Sequence, residues 1–127
     1  MKPAKHDIEI RRGDTYELFF RVRTRVWNPT TEVWEAGAYR DLTGYEVTAQ
    51  LRTAADAATV EIEFTCVLTN QTTVPGGVLV RATPAQTQAL IITAGVYDVQ
   101  LDPDGTGDDK YTYLEGDVTI TKDVTRP

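Results

Sequence analysis

A period of two runs through this chain and restricts it more than any other feature. Ile8 and Ile10 alternate with charged residues. The run "TYELFFRVRTRVW" then places Tyr16, Leu18, Phe20, Val22 and, less cleanly, Val26 on one side. The pattern returns as Tyr45, Val47, Ala49 and Leu51 in "YEVTAQLR", and as Val60, Ile62, Phe64 and Cys66 in "TVEIEFTCVL". "VLVRAT", "GVYDVQL" and "YTYLEGDVTIT" complete the set. Residues two apart share a face only when the chain is extended, so each run reads as a half-buried strand. Helical segments are short. "AADAA" cannot stand alone as a helix and reads as a connection, while "PAQTQAL" opens on proline and reads as one helical turn. With Asn28-Pro29, Pro75-Gly76 and "DPDGTGDDK" as turn signals, the chain is expected to form an all-β, antiparallel β-sandwich of about seven strands with one short helical turn. One domain spans residues 1–127, with a strand core over about 7–125.

Composition excludes several classes. The 13 Lys and Arg against 19 Asp and Glu leave a net charge of −6. Duplex nucleic-acid binding needs a basic face, so no nucleic-acid partner is expected. No apolar run nears the roughly 20 residues that span a membrane, and no membrane partner is expected. The start "MKPAKHDIEI" lacks the apolar segment of a secretory signal, which predicts synthesis in a cytoplasm. A single cysteine, Cys66, rules out an internal disulfide, and its place in "FTCVL" suits a small buried hydrophobe. With one histidine, His6, a Cys–His or Ser–His triad has little support. No phosphate-cradling loop is present, since "PGG" is not followed by Lys and Ser or Thr. No catalytic residue, cofactor or metal is therefore expected.

Three features remain as candidate contact sites. Trp27 and Trp34 bracket a polar stretch punctuated by proline and glycine, where they would pack on each other in a small hairpin or anchor a protein partner. Arg21, Arg23 and Arg25 alternate with Val22 and so fall on the face opposite the apolar one; they meet water or an acidic partner. The third is "DPDGTGDD", with Asp102, Asp104, Asp108 and Asp109. Counted as an EF-hand loop from Asp102, it offers oxygens at the third and fifth places and glycine at the sixth. The twelfth place is Tyr113, which cannot supply the bidentate carboxylate. Asp, Pro and Gly between two strands are what a hairpin loop requires, and the stretch reads as a turn. Arg12-Gly13-Asp14 likewise falls where one strand bends into the next. Arginines 11, 12, 21, 23 and 25 gather early in the chain, and Asp102, Asp104, Asp108, Asp109, Glu115 and Asp117 gather late. That polarity suits solvated strand faces, or head-to-tail contacts between copies.

The order "RRGDTYELFFRV", "RDLTGYEVTAQLR", "VRATPAQTQAL", "AGVYDVQLDPDG" and "LEGDVTITKDVT" resembles the small immunoglobulin-like domains of tailed-bacteriophage virion proteins. In that group the baseplate upper protein N-terminal domain is the best-known relative. The similarity runs over roughly residues 7–125. Its most specific pieces are Asp41–Gly44 leading into Ala49–Arg52, and Gly95–Val99 leading into Gly116–Val118. The stretch between residues 27 and 38 departs from it by being longer than a short turn. The resemblance implies a non-enzymatic structural protein located in the virion and made in the bacterial host cytoplasm. Its partners would be other virion proteins and copies of itself. A tail, baseplate, fibre-adaptor or neck place is the first expectation. A capsid decoration protein is an alternative, and a host-surface carbohydrate-binding module, with Trp27 and Trp34 as stacking platforms, is another.

Overall fold

The computed structural model describes residues 3–122. The expected end of the strand core at residue 125 lies outside them. The described residues are mostly β, with eleven strands and one short helix. In chain order these are β1 (Ala4–Lys5), β2 (Ile8–Arg11), β3 (Tyr16–Arg21), β4 (Arg23–Asn28), β5 (Val33–Tyr39) and β6 (Glu46–Arg52). β7 (Ile62–Glu63), β8 (Thr65–Leu68), β9 (Gly77–Ala82), α1 (Pro84–Gln88), β10 (Ala94–Asp102) and β11 (Tyr111–Thr121) follow. The larger sheet runs β1-β11-β10-β6-β7, with β2 also on β11; the smaller runs β3-β9-β8; β4 and β5 pair only with each other.

Two expectations change here. β1 and β2 lie parallel to β11, so the larger sheet is mixed rather than antiparallel. The expected count of about seven strands also gives way, because two alternating runs are broken and β1 and β5 lie outside the runs that alternate. The first breaks at Val22, whose N–H donates to the Gly76 carbonyl while its own carbonyl accepts from the Arg40 N–H. The second breaks at Phe64, where the chain passes from β7, paired with β6, to β8, paired with β9 in the other sheet. Val22 and Phe64 stay buried at the breaks, but Val26, expected on the same face as Val22, is exposed in β4. A period of two reports the face and not the partner.

Both sheets contribute to one apolar core. Ile8, Ile10, Leu51, Val99, Leu101 and Val118 come from the larger sheet, and Val78, Val80 and Ala82 from the smaller. Phe20 stacks on Tyr113 across the gap, ring centroids 5.8 Å apart. Each fully buried aliphatic side chain contributes about 1.5–3 kcal/mol.

Between the sheets the chain turns through α1. Thr83 caps it, its hydroxyl accepting from the Gln86 N–H while the Gln86 side chain accepts from the Thr83 N–H. Thr87 is wholly buried and binds the β2–β3 turn: its hydroxyl accepts from the Gly13 N–H and donates to the Asp14 carbonyl. Gly13 has φ 85°, and an Arg12 Nη donates to the Gln88 carbonyl. The Arg12-Gly13-Asp14 stretch is the expected bend, docked on the helix.

Gly116, in the middle of β11, pairs regularly with Tyr97, and the irregularity of the pair lies where β10 passes from Val99 to Gln100 opposite Leu114 and Thr112. A Cβ on Gly116 would fall 2.1 Å from the His6 carbonyl oxygen. That carbonyl accepts from the Tyr97 hydroxyl. The glycine is there to admit the N-terminal strand.

Candidate interaction site

Among the described residues, β4 and β5 form a largely exposed ribbon. It continues from β3 past Val22, and most of its residues are exposed. A lone two-stranded ribbon is marginal in water, and local contacts at both ends hold this one. At the tip the Asn28 carboxamide oxygen accepts from the Thr30 and Thr31 N–H groups, and its nitrogen donates to Glu35. Glu32 closes the turn at φ 57°. At the base the Arg23 Nε donates to the Gly37 carbonyl and the Thr24 hydroxyl to the Ala38 carbonyl. Gly37 has no room for a side chain, since a Cβ would lie 2.5 Å from the Thr24 Oγ1.

Trp27 and Trp34 are direct cross-strand partners on this ribbon. Their rings meet edge to face, centroids 5.4 Å apart and planes at 63°. They remain 45% and 61% exposed, and Val26 and Val33 beside them are exposed too. The hairpin expected from the sequence is present. Its tryptophans pack on each other and still present apolar surface.

The three arginines do not form one uninterrupted row. Arg21 ends β3 and Arg23 begins β4, and the pairing of β4 with β5 is irregular between Arg23 and Arg25. Tyr39 gathers two of them. The Arg21 guanidinium lies 3.5 Å from its ring centroid and that of Arg23 5.1 Å. Such contacts favour a cation over the aromatic face by about 0.5–1 kcal/mol at exposed sites. The Arg21 Nε also donates to the Pro75 carbonyl. Arg25 is exposed, and its side chain makes no hydrogen bond or ion pair among the described residues.

"DPDGTGDD" is the loop of the β10–β11 hairpin. Asp102 is buried, and its two carboxylate oxygens accept from the Gly105 and Gly107 N–H groups. Those glycines have φ 74° and 88°, left-handed values that suit glycine. Asp104 accepts from the Thr106 hydroxyl and N–H, which hold its carboxyl below the usual range. Asp108 and Asp109 are exposed. Among the described residues no group of three or more His, Cys, Asp or Glu is arranged to hold a metal ion.

The tertiary structure brings the ribbon and this loop to one end of the molecule. An Arg40 Nη lies within 3.4 Å of both the Tyr45 and Tyr111 hydroxyls, tying the ribbon's return to the loop's exit. Gln71, in the loop before β9, accepts from the Leu42 and Gly76 N–H groups and joins a third connection to the same end. Sequence reasoning missed Arg40 and Gln71. Neither lies in a pattern that alternation or turn chemistry would single out.

A second feature lies on the outer face of the larger sheet, a groove of about 610 Å³ lined by Thr48, Gln50, Arg52, Asp98, Gln100 and Glu115 among others. Its polar groups are tied to one another. Arg52 donates to the Ala57 carbonyl and to Gln50, Gln50 donates to Glu63, and Gln100 donates to Asp98. Burial pushes the Asp98 carboxyl above its usual range, and the Glu115 charge adds to the rise. Cys66 is half-buried, with its thiol pushed up to about 11 by burial and the Glu63 charge. It is protonated near neutrality and a poor nucleophile.

Neither a protein-family model nor a curated protein matches this chain.

Proposed function

We propose that the protein is a non-enzymatic structural component of a tailed-bacteriophage particle, an immunoglobulin-like domain that contacts neighbouring virion proteins through its ribbon end. The exposed Trp27–Trp34 pair on a projecting ribbon carries this reading. Large aromatics in water cost free energy that a partner recovers, and buried tryptophans rank high among residues that anchor interfaces. Connections gathered at one end of a rigid scaffold are a common place for binding residues.

Strand order supports the immunoglobulin-like assignment. β11-β10-β6-β7 and β3-β9-β8 follow the order of a GFC sheet with an added C′ strand opposite a BED sheet, with β2 as a further strand beside β11. The virion setting rests on the resemblance in motif order, and the tail is the favoured place within the particle.

Replacing both Trp27 and Trp34 with Ala tests the reading. The isolated domain should keep its circular dichroism and cooperative melt, because the ribbon lies outside the core. Incorporation into particles, followed by cryo-electron microscopy, should fall, each buried anchor contributing about 2–4 kcal/mol. A variant that unfolds would make the pair structural. A variant incorporated as well as the parent would remove the ribbon from the contact.

A further inference from the structure

The smaller sheet ends in an open edge. Among the described residues β3 pairs with β9 on one side and with no strand on the other. Unpaired edges of this length are usually covered or blunted, because their N–H and C=O groups template another strand. Beside the edge lies a groove of about 330 Å³, lined by Leu18 to Arg21 of β3 and, from the side of the larger sheet, by Tyr113, Leu114 and Ala4 to His6. Leu18 and Phe20 point towards the core yet stay only partly buried. Phe19 on the outer face is 52% exposed.

The charges along this edge are self-complementary. Glu17, Phe19 and Arg21 share the outer face, with opposite charges two residues either side of the phenylalanine. Glu17 reaches Arg81 at 3.9 Å, and both side chains are about half exposed. Arg21 has its Nε on Pro75 and its guanidinium over the Tyr39 ring, and its Nη groups have no hydrogen-bond or salt-bridge partner among the described residues.

We infer that β3 pairs with β3 of a second copy, antiparallel about a two-fold axis, to join the two smaller sheets. The inference goes beyond the proposed function and does not depend on it. A two-fold axis normal to the sheet keeps outer faces outer, so only registers opposing residues of the same parity are allowed. Centring on Leu18 sets Glu17 against Phe19, and centring on Phe20 sets Phe19 against Arg21. Centring on Phe19 sets Glu17 against Arg21 twice, Phe19 against Phe19, and Leu18 against Phe20 twice. This register satisfies the charges, covers the exposed ring and fills both grooves. Opposite charges and aromatic pairs directly across an antiparallel ladder each contribute about 0.2–1 kcal/mol.

Sedimentation equilibrium of the full chain across a concentration series tests this. The parent should approach twice its 14.1 kDa mass. Glu17→Arg and Arg21→Glu should each raise the dissociation constant about tenfold or more, since each sets like charges opposite at two places. The Glu17→Arg/Arg21→Glu double variant should dimerise again, and an equimolar mixture of the two single variants should form a heterodimer. The double variant carries the intramolecular costs of both singles, so its recovery separates a lost contact from a damaged strand. A parent that stays monomeric at its highest soluble concentration would overturn the inference. So would a dimer indifferent to both substitutions, or a mass that climbs past two copies.

Discussion

At the scale of single residues, backbone crowding and burial make predictions that exposure alone would not. Gly116 lies under the His6 carbonyl, and a Cβ there would overlap backbone atoms of His6 and Asp7, which link β1 to β2. Gly116→Ala should destabilise the chain by about 1–3 kcal/mol, read as a lower denaturant midpoint. A midpoint within scatter of the parent would show that β1 and β2 shift freely on β11. Asp98 makes a prediction with a sign. Its carboxyl is raised by burial, so the folded chain binds that proton more readily than the unfolded one. Asp98's own contribution to stability is then fully present below the ordinary carboxylate range near about 3.9 and is lost as pH rises through the raised value. Asp98→Asn removes the ionisation and can still accept from Gln100. The variant should be more stable than the parent at neutral pH, with the gap closing in acid. A variant less stable at neutrality would show that the charge on Asp98 is favourable.

At the scale of elements, the β10–β11 hairpin and the β4–β5 ribbon divide the labour. The hairpin loop is built around Asp102, whose buried carboxylate supplies both acceptors for the glycine N–H groups. Asp102→Ala should cost about 1.5–3 kcal/mol, the range for hydrogen bonds to a charged group. Asp104→Ala, at an exposed site, should stay within about 0.5 kcal/mol. Equal effects in urea unfolding would mean that the loop is not organised from Asp102. The acidic stretch was legible as a hairpin turn from Asp, Pro and Gly between two alternating runs. That one aspartate is the keystone and the others are peripheral was not, because their burial depends on where the strands end. The ribbon was legible as a small hairpin from Trp27, Trp34 and the turn residues between them. Its separation from both sheets was not, because alternation passes through Val22 without a mark.

At the scale of the whole molecule, stability should be graded from the larger sheet outwards. β10 and β11 pair along most of their length and supply Val99, Leu101, Leu114 and Val118 to the core, whereas the ribbon contributes nothing to it. Amide hydrogen exchange should therefore be slowest through the centre of β10 and fast throughout β4 and β5, which open locally at small cost. Protection in the ribbon equal to that in β10 would mean that it is covered in solution. The ribbon base and the acidic loop also lie at one end of the same molecule, joined through Arg40 and Tyr111. Arginine-to-aspartate contacts between copies would therefore run end to end rather than head to tail.

The all-β character, the inward face of nearly every strand, the capped turn of helix after Thr83 and the bends at Gly13 and Gly44 were determined by local chemistry. Each rests on residues within a few positions of one another: alternating side chains, a hydroxyl and an amide three residues apart, or a glycine free to take positive φ. Tertiary structure alone decided that β1 and β2 run parallel to β11, that the chain changes sheets at Phe64, and that Arg40, Gln71 and Tyr111 converge. Strands are joined by backbone N–H and C=O groups that almost every residue carries alike, so side-chain order names the buried face but leaves the neighbour and its direction open. Those are chosen by which arrangement of all the strands closes a single core.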